Sequence, residues 1–265
     1  MNRTMEEANA HLHAAVKGCM AREEQRQAVE AAGHRYYYTP GQEFDDLPKK
    51  MVIDESRPFM RPGRMLELGY INNIWTNAML EQGAQKLDIL EAASNHVEKA
   101  RADFAGDARV EVHHTLFEEY RPKELYDTIV MAGVIKHVPD DLAFVKMART
   151  WLKPGGVVLA STPNCRSFHR RLGAYMGLES APDRHNQRDR EVFNVRLYDR
   201  FSWRALFVDA GYEVVTLKGI FLKILSTDQM LAISQRQDIS RLMDGLKQLG
   251  EELQDYAWYI LLVAR

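Results

Sequence analysis

Short apolar segments alternate with longer segments of mixed polarity through most of the chain after residue 61. The apolar segments include LDILEAA at 87–93, VEVHHTL at 110–116 and TIVMAGVI at 128–135. The segments between them, such as SNHVEKARADFA at 94–105, have the composition and length of amphipathic helices. Strands that alternate with helices predict βαβ crossovers, and hence a parallel sheet with helices on both faces.

Both ends of the chain depart from this alternation. Residues 5–33 are rich in Glu, Ala, Arg and Gln, which predicts a helix that stops at Gly33. The segment 34–50, HRYYYTPGQEFDDLPKK, predicts irregular structure because of its Pro and Gly residues. Because 1–60 contains few apolar residues, we expect it to form an N-terminal helical cap or lid rather than a second core. At the other end, AWYILLVA at 257–264 is apolar on both faces and predicts a strand inside the sheet.

An arginine-rich stretch interrupts the pattern at 166–204. It carries nine Arg against five acidic residues, a local charge of +4. We interpret 61–265 as one α/β domain and 166–199 as an insert within it, on the side of the sheet where the fifth strand ends. Arginine binds carboxylates and phosphates through paired hydrogen bonds, so the insert favours a small acidic ligand.

Composition narrows the class of protein. The chain has 265 residues, 46% hydrophobic and 27% charged, with 35 basic against 37 acidic residues. These values are typical of a globular protein and disfavour a nucleic-acid binder. No apolar run is long enough for a membrane span, the N-terminal segment lacks a signal-peptide core, and Cys19 and Cys165 cannot form a disulfide framework. We therefore expect a cytoplasmic protein, monomeric or homodimeric, with a small-molecule substrate and no nucleic-acid or membrane partner.

The first two predicted strands end in residues that suit a nucleoside. Ligands of open parallel sheets bind at the carboxyl ends of such strands. Gly69 ends the first strand, and Glu91 follows 22 residues later, near the spacing at which an acid binds ribose hydroxyls. The turn after the first strand holds a single glycine, so neither a dinucleotide fingerprint nor a phosphate-binding loop is present.

Five motifs, taken in order, resemble the class I S-adenosylmethionine-dependent methyltransferases: RMLELG, LDILEAASNHVEKAR, HHTLFEEY, YDTIVMAGVIKHVPDD and WLKPGGVVLASTPN. Two later stretches, STPNCRSFHRRLGAYMGL and LKGIFLKILSTDQM, are similar to bacterial small-molecule tailoring methyltransferases. The resemblance implies a doubly wound, Rossmann-like sheet of seven strands whose last strand is antiparallel. It also implies S-adenosylmethionine as the cofactor, and this chemistry requires no metal.

The resemblance implies a set of cofactor contacts. Glu67 and Gly69 match the start of the cofactor loop, Glu91 matches the ribose acid, and the adenine ring would lie at Leu116 and Phe117. The predicted contacts are Glu67, Gly69, Tyr70, Glu91, Ala92, Leu116, Phe117, Gly133 and Val134. The loop departs from the family pattern because Ile71 and Asn73 stand where relatives carry glycine, so bulkier side chains would lie near the methionine tail.

The candidate catalytic and substrate residues come from three segments. His137 matches a family histidine near the reaction centre, and the ordinary pKa of a histidine suits a general base. The tyrosines at 36–38 could close over the cofactor from the cap, and an aromatic face stabilises a sulfonium. The predicted catalytic residues are His137, Tyr38 and His169, and the predicted substrate contacts are Tyr36, Tyr37, Arg170, Tyr175 and Tyr198.

Three functions remain open at this point. The first is methyl transfer to O, N or C of a small polar metabolite in biosynthesis, with an acidic one favoured by the insert. The second keeps the cofactor but attacks its Cγ. That attack would either transfer the aminocarboxypropyl group or close azetidine-2-carboxylate, and would release methylthioadenosine. The third is a module that binds a ligand without turnover.

Overall fold

The computed structural model describes residues 20–36, 42–178, 180–234 and 239–265, and within them seven strands form one sheet. The sheet order is β3-β2-β1-β4-β5-β7-β6. Strands β1 to β5 pair in parallel, whereas β7 runs antiparallel to both β5 and β6. This is the predicted doubly wound sheet with an antiparallel last strand. The strands are β1 Gly63–Leu68, β2 Ala84–Glu91, β3 Val110–His114, β4 Tyr126–Ala132, β5 Leu152–Pro163, β6 Val214–Ile220 and β7 Tyr259–Ala264.

Helices cover both faces of this sheet. The described α-helices are α1 Arg22–Tyr36, α2 Gln42–Ser56, α3 Ile74–Glu81, α4 Ser94–Asp103, α5 Asp141–Arg149, α6 Phe168–Tyr175, α7 Gln187–Glu191, α8 Arg200–Asp209, α9 Thr227–Ser234 and α10 Ile239–Glu252. Within the described part of the chain, none of the helices combines the length and apolarity needed to cross a bilayer.

Two hydrophobic layers sandwich the sheet because alternate strand residues point to opposite faces. Ile129 packs under α5 and α8, whereas its neighbour Val130 packs under α2, α3 and α10. Strand β7 divides in the same way, with Leu262 in the first layer and Leu261 in the second. Its position between β5 and β6 explains why the sequence is apolar on both faces.

The N-terminal helix continues past its predicted end. Helix α1 runs through Gly33 to Tyr36, so the prediction that Gly33 stops it was wrong. A Cβ atom at Gly33 would lie 2.5 Å from Cβ of Ala93, in the turn after β2. Glycine at this position therefore serves close packing rather than helix termination. The predicted helical residues 5–19 lie outside the described part of the chain.

Helix α2 includes residues 42–50 of the segment 34–50, which the sequence predicted to be irregular. Phe44, Val52 and Ile53 from this helix are buried against the sheet. Pro48 lies inside the helix and removes one backbone donor. Burial of the apolar face outweighs that loss, and the sequence signal for a break was misleading for this reason.

The direction of the strands decides which residues meet. The carboxyl ends of β1, β2, β3, β4, β5 and β6 lie at one edge of the sheet. Because β7 is antiparallel, it starts at that same edge, and Trp258 directly precedes it. Residues from both halves of the chain therefore converge there.

Candidate active site

A cavity of about 460 Å³ opens at the carboxyl edge of the parallel strands. The turns after β1, β2, β3 and β4 form one end, and residues beside β5, β6 and β7 form the other. Gln25, Val29 and Gly33 of α1 cover it. Its volume falls within the range of about 300–1,000 Å³ typical of small-molecule sites.

The turn after β1 requires glycine at its first position. Gly69 has a φ of +76°, and a Cβ atom there would lie 2.6 Å from Cγ1 of Val134. Its N–H donates to the carbonyl of Leu90 at 2.8 Å. Tyr70 and Ile71, which follow Gly69, both line the cavity, and the hydroxyl of Tyr70 donates to Asp103.

Glu91 ends β2 and holds the neighbouring turns together. One carboxylate oxygen accepts the backbone N–H of Tyr70, and the other accepts those of Ala92 and Ala93, each at 2.7 Å. A carboxylate offers about four lone-pair positions. The three backbone donors therefore fix its orientation and leave room for a further donor, such as a ribose hydroxyl.

Glu67 lies beneath the same turn and is buried. Thr76 donates a hydrogen bond to it at 2.6 Å. Burial raises the pKa of Glu67 to about 8, and the nearby charge of Glu91 acts in the same direction. The side chain is therefore largely protonated at neutral pH and can itself donate a hydrogen bond.

Glu118 is a cavity residue that sequence reasoning missed. Its Oε1 accepts hydrogen bonds from Gln25 at 2.8 Å and from Arg22 at 2.9 Å, which anchors α1 over the cavity. Its Oε2 is buried and has no hydrogen-bond partner among the described residues. It follows Leu116 and Phe117 and offers a buried acceptor beside them. The motif HHTLFEEY contained this residue, but the pattern alone did not show which of its acids turns inward.

Gly133 and Val134 continue from the end of β4 into the cavity. Gly133 has a φ of +72°, a conformation that favours glycine. A Cβ atom there would meet nothing within 4 Å, so its backbone faces open space.

His137 sits on the short 3₁₀ turn that follows. Its Nδ1 donates to the carbonyl of Phe193 at 2.9 Å. In the neutral ring this hydrogen bond places the proton on Nδ1, so Nε2 is the basic nitrogen. Burial lowers the pKa of His137 to about 3, with the charge of Lys136 adding to the effect. The imidazole is therefore neutral at physiological pH. The neighbouring Asn194 also lines the cavity, and its buried Oδ1 has no hydrogen-bond partner in the described ranges.

Arg170 lines the cavity, but its guanidinium is engaged by protein groups. It donates to the carbonyls of Pro182 and Arg184 at 2.7 Å and to Asp189 at 3.1 Å. These bonds fold the insert onto itself. The arginine excess of 166–204 therefore partly serves local structure.

Three predicted residues lie outside the cavity. Tyr198 is buried in the core, where its hydroxyl donates to Asp141 at 2.6 Å. Tyr175 ends α6 and is 84% exposed. His169 packs against the edge of Trp258, and burial lowers its pKa well below the ordinary value. The structure thus corrects the expectation that these three residues contact the substrate or act in catalysis. Tyr198 and His169 pack against other side chains, and Tyr175 faces solvent.

The predicted tyrosine contacts of the cap fall at the limit of the described residues. Tyr36 ends α1. Tyr37 and Tyr38 lie outside the described residues.

The far end of the cavity is built from residues that sequence reasoning did not single out. Lys223 follows β6, Thr227 begins α9, and Trp258 and Tyr259 stand at the start of β7. Strand direction was the available signal, because an antiparallel last strand must begin where its neighbours end.

Comparison with known proteins gives a consistent result. A family model described as a methyltransferase domain matches residues 31–217. The chain is 32% identical over 122 residues to a ubiquinone biosynthesis O-methyltransferase of Bradyrhizobium sp. (strain ORS 278), covering 44% of this chain and 46% of that protein. It is 28% identical over 179 residues to the protein of the same name from Cereibacter sphaeroides (strain KD131 / KCTC 12085), covering 65% of this chain and 70% of that one. The chain spans about half the length of the first curated relatives it matches.

Solved structures share the fold at low sequence identity. A DhpI complex with S-adenosylhomocysteine superposes with a TM-score of 0.58 at 16% identity, covering 96% of this chain and 97% of that one. An S-adenosylmethionine-dependent methyltransferase from Mesorhizobium loti superposes with a TM-score of 0.55 at 18% identity, covering 81% of this chain and 97% of that one.

Proposed function

The chain belongs to the class I S-adenosylmethionine-dependent methyltransferase family, and from this premise we propose that its cavity carries out methyl transfer to a small-molecule acceptor. One observation carries the proposal. All nine predicted cofactor contacts line the same cavity, although they come from four separate turns. Their convergence depends on tertiary structure and was not imposed by their sequence spacing.

The cavity residues fit the cofactor at two points. Glu91, oriented by three backbone donors, would accept hydrogen bonds from the ribose hydroxyls. Oε2 of Glu118 would accept one from the amino group of the adenine, beside Phe117. When bound, S-adenosylmethionine supplies a methyl group made electrophilic by the sulfonium.

His137 and Asn194 would position the acceptor. A neutral imidazole with its proton on Nδ1 accepts a hydrogen bond at Nε2, and an acceptor hydroxyl is a suitable donor. Oδ1 of Asn194 provides a second acceptor close by. Held in line at about 3–3.5 Å from the reacting carbon, the acceptor oxygen would gain most of its rate advantage from orientation. O-methylation is favoured further because the sequence relatives are ubiquinone biosynthesis O-methyltransferases.

Attack at Cγ of the cofactor is the second candidate. The observation that favours it is the side chain of Ile71, which lines the cavity beside the turn that would hold the methionine tail. A displaced tail would present Cγ rather than the methyl carbon to a nucleophile.

Product analysis tests the proposal. The purified protein is incubated with S-adenosylmethionine and a bacterial metabolite extract, and adenosine-containing products are followed by mass spectrometry. We expect S-adenosylhomocysteine, and we expect His137→Asn to slow its formation by roughly 10²–10⁴-fold. His34→Asn, which alters a histidine with a 64% exposed side chain, serves as the control.

The products also separate the alternatives. Formation of methylthioadenosine in place of S-adenosylhomocysteine would indicate attack at Cγ and reject methyl transfer. Unchanged S-adenosylmethionine would leave only a binding function.

A further inference from the structure

The far end of the cavity is a junction between β6, β7 and α9. Phe221 and Lys223 follow β6, and Trp258 directly precedes the antiparallel β7. The backbone N–H of Trp258 donates to the carbonyl of Phe221 at 2.7 Å. This bond holds the segment of Lys223 against the segment of Trp258.

Lys223 is a buried charged residue that lines the cavity. Only 4% of the surface of Lys223 is exposed to solvent. The ammonium lies 3.8 Å from the centroid of the Trp258 ring and 5.7 Å from that of Phe44. It donates a hydrogen bond to Oγ1 of Thr227 at 2.6 Å. Aromatic faces stabilise a cation, and a buried charge is costly without such compensation.

The charges around this end of the cavity favour an anion. Of the four acids that line the described cavity, Glu67, Glu91 and Glu118 lie at the cofactor end. The fourth, Asp189, is paired with Arg170 at 3.1 Å. The cavity is also lined by the cationic residues Lys49, Lys136 and Arg188 and by the histidines His96 and His137, and burial lowers the pKa of His137.

We propose that Lys223, placed on the face of Trp258, binds an anionic group of the methyl acceptor, either a carboxylate or a phosphate. The inference rests on the proposed function, because it takes the far end of the cavity as the acceptor site. Charge neutralisation at Lys223 selects an acidic acceptor over a neutral one of the same shape.

The carboxylate of the cofactor is the competing occupant. The predicted cofactor contacts come from the turns after β1, β2, β3 and β4. Lys223 follows β6, at the far edge of the sheet from β3. This separation favours the acceptor, and the affinity for S-adenosylhomocysteine discriminates between the two, since that molecule carries the same tail.

A binding experiment tests Lys223 without requiring turnover. The protein saturated with S-adenosylhomocysteine is titrated calorimetrically with 4-hydroxybenzoate, its neutral analogue 4-hydroxybenzamide, and inorganic phosphate. We expect at least one of the two anions to bind, the amide to bind more weakly, and Lys223→Met to weaken the anion about 10- to 100-fold. Which anion binds tells whether the site takes a carboxylate or a phosphate.

Two controls keep the result interpretable. Lys218→Met removes a lysine on β6 that pairs with Glu55 at 2.6 Å outside the cavity, and it should bind the anion as the wild type does. Lys223→Met should bind S-adenosylhomocysteine with wild-type affinity, which also shows that it is folded. Loss of that affinity in a folded variant would assign Lys223 to the cofactor tail and overturn the proposal. Equal binding of amide and anion, failure of wild type to bind either anion, or retained anion binding in Lys223→Met would overturn it as well.

Turnover distinguishes a failure of this inference from a failure of the proposed function. A metabolite extract is separated on an anion exchanger, and each fraction is supplied with S-adenosylmethionine labelled in the methyl group. We expect label to enter the anionic fraction, with Lys223→Met raising KM more than it lowers kcat. Label entering only the neutral fraction would reject the anion site and keep methyl transfer. Absence of label from all fractions, with anion binding intact, would reject methyl transfer alone.

Discussion

Replacement of Glu91 by Gln tests the centre of the cofactor site while preserving side-chain size. The carboxylate accepts three backbone N–H groups at 2.7 Å. The amide can keep Ala92 and Ala93 on its oxygen, but its NH₂ group then faces the N–H of Tyr70. One buried donor is left unsatisfied, which costs about 1–3 kcal/mol of stability.

The expected loss of affinity follows from the charge that is removed. A hydrogen bond from a ribose hydroxyl to a carboxylate contributes about 1.5–3 kcal/mol. Affinity for S-adenosylhomocysteine should therefore fall about 10- to 100-fold. Calorimetric titration measures it, and Glu111→Gln, on an exposed side chain of β3, provides the matched control.

Truncated ligands separate loss of the ribose contact from distortion of the turns. Methylthioadenosine keeps the ribose and should lose affinity by the same factor as S-adenosylhomocysteine. Adenine lacks the ribose, so its affinity should change by less than about twofold if each hydrogen bond acts locally. An equal loss for adenine, or no loss for S-adenosylhomocysteine, would refute the assignment of Glu91 to the ribose.

Three further changes probe other parts of the site. Burial lowers the pKa of His137 to about 3 in the folded protein, so on acidification the unfolded chain takes up a proton at this histidine before the folded protein does. The free energy of unfolding therefore falls as the pH drops below about 6.5. Urea unfolding should show that the wild type loses about 2 kcal/mol of unfolding free energy from this histidine by pH 5. A His137→Asn variant that loses as much stability over the same pH range as the wild type would contradict this prediction. Gly69→Ala should lower both Tm and affinity for S-adenosylhomocysteine, because φ is +76° and a Cβ atom would meet Val134 at 2.6 Å. Gly106→Ala, where nothing lies within 4 Å, should change neither. Hydrogen exchange within 20–36 should slow when S-adenosylhomocysteine binds, and Arg22→Ala should speed it by removing a bond to the cavity wall; unchanged exchange in both cases would reject α1 as a lid.

The sequence determined the sheet. Apolar strands alternate with amphipathic helices along 61–164, and this pattern depends only on the local periodicity of apolar and polar residues. That Gly69 and Glu91 lie at the same edge of the sheet was predictable for the same reason, because they stand at the ends of strands whose direction a parallel sheet fixes.

The N-terminal segment shows where local signals failed. Gly33 and Pro48 indicate breaks when taken by themselves. The structure keeps both inside helices, since α1 needs close contact with Ala93 and α2 buries Phe44 and Val52. Tertiary packing outweighed propensity at both positions.

The end of the cavity at Lys223 was decided by tertiary structure alone. Lys223 and Trp258 are 35 residues apart and belong to no shared motif. They meet because β7 is antiparallel and its first residues return to the edge where β6 ends. Tyr198 shows the opposite case, because its side chain is drawn into the core by Asp141 and Trp203. A sequence specifies which residues can do chemistry, but only the pairing of distant strands fixes which of them face the same cavity.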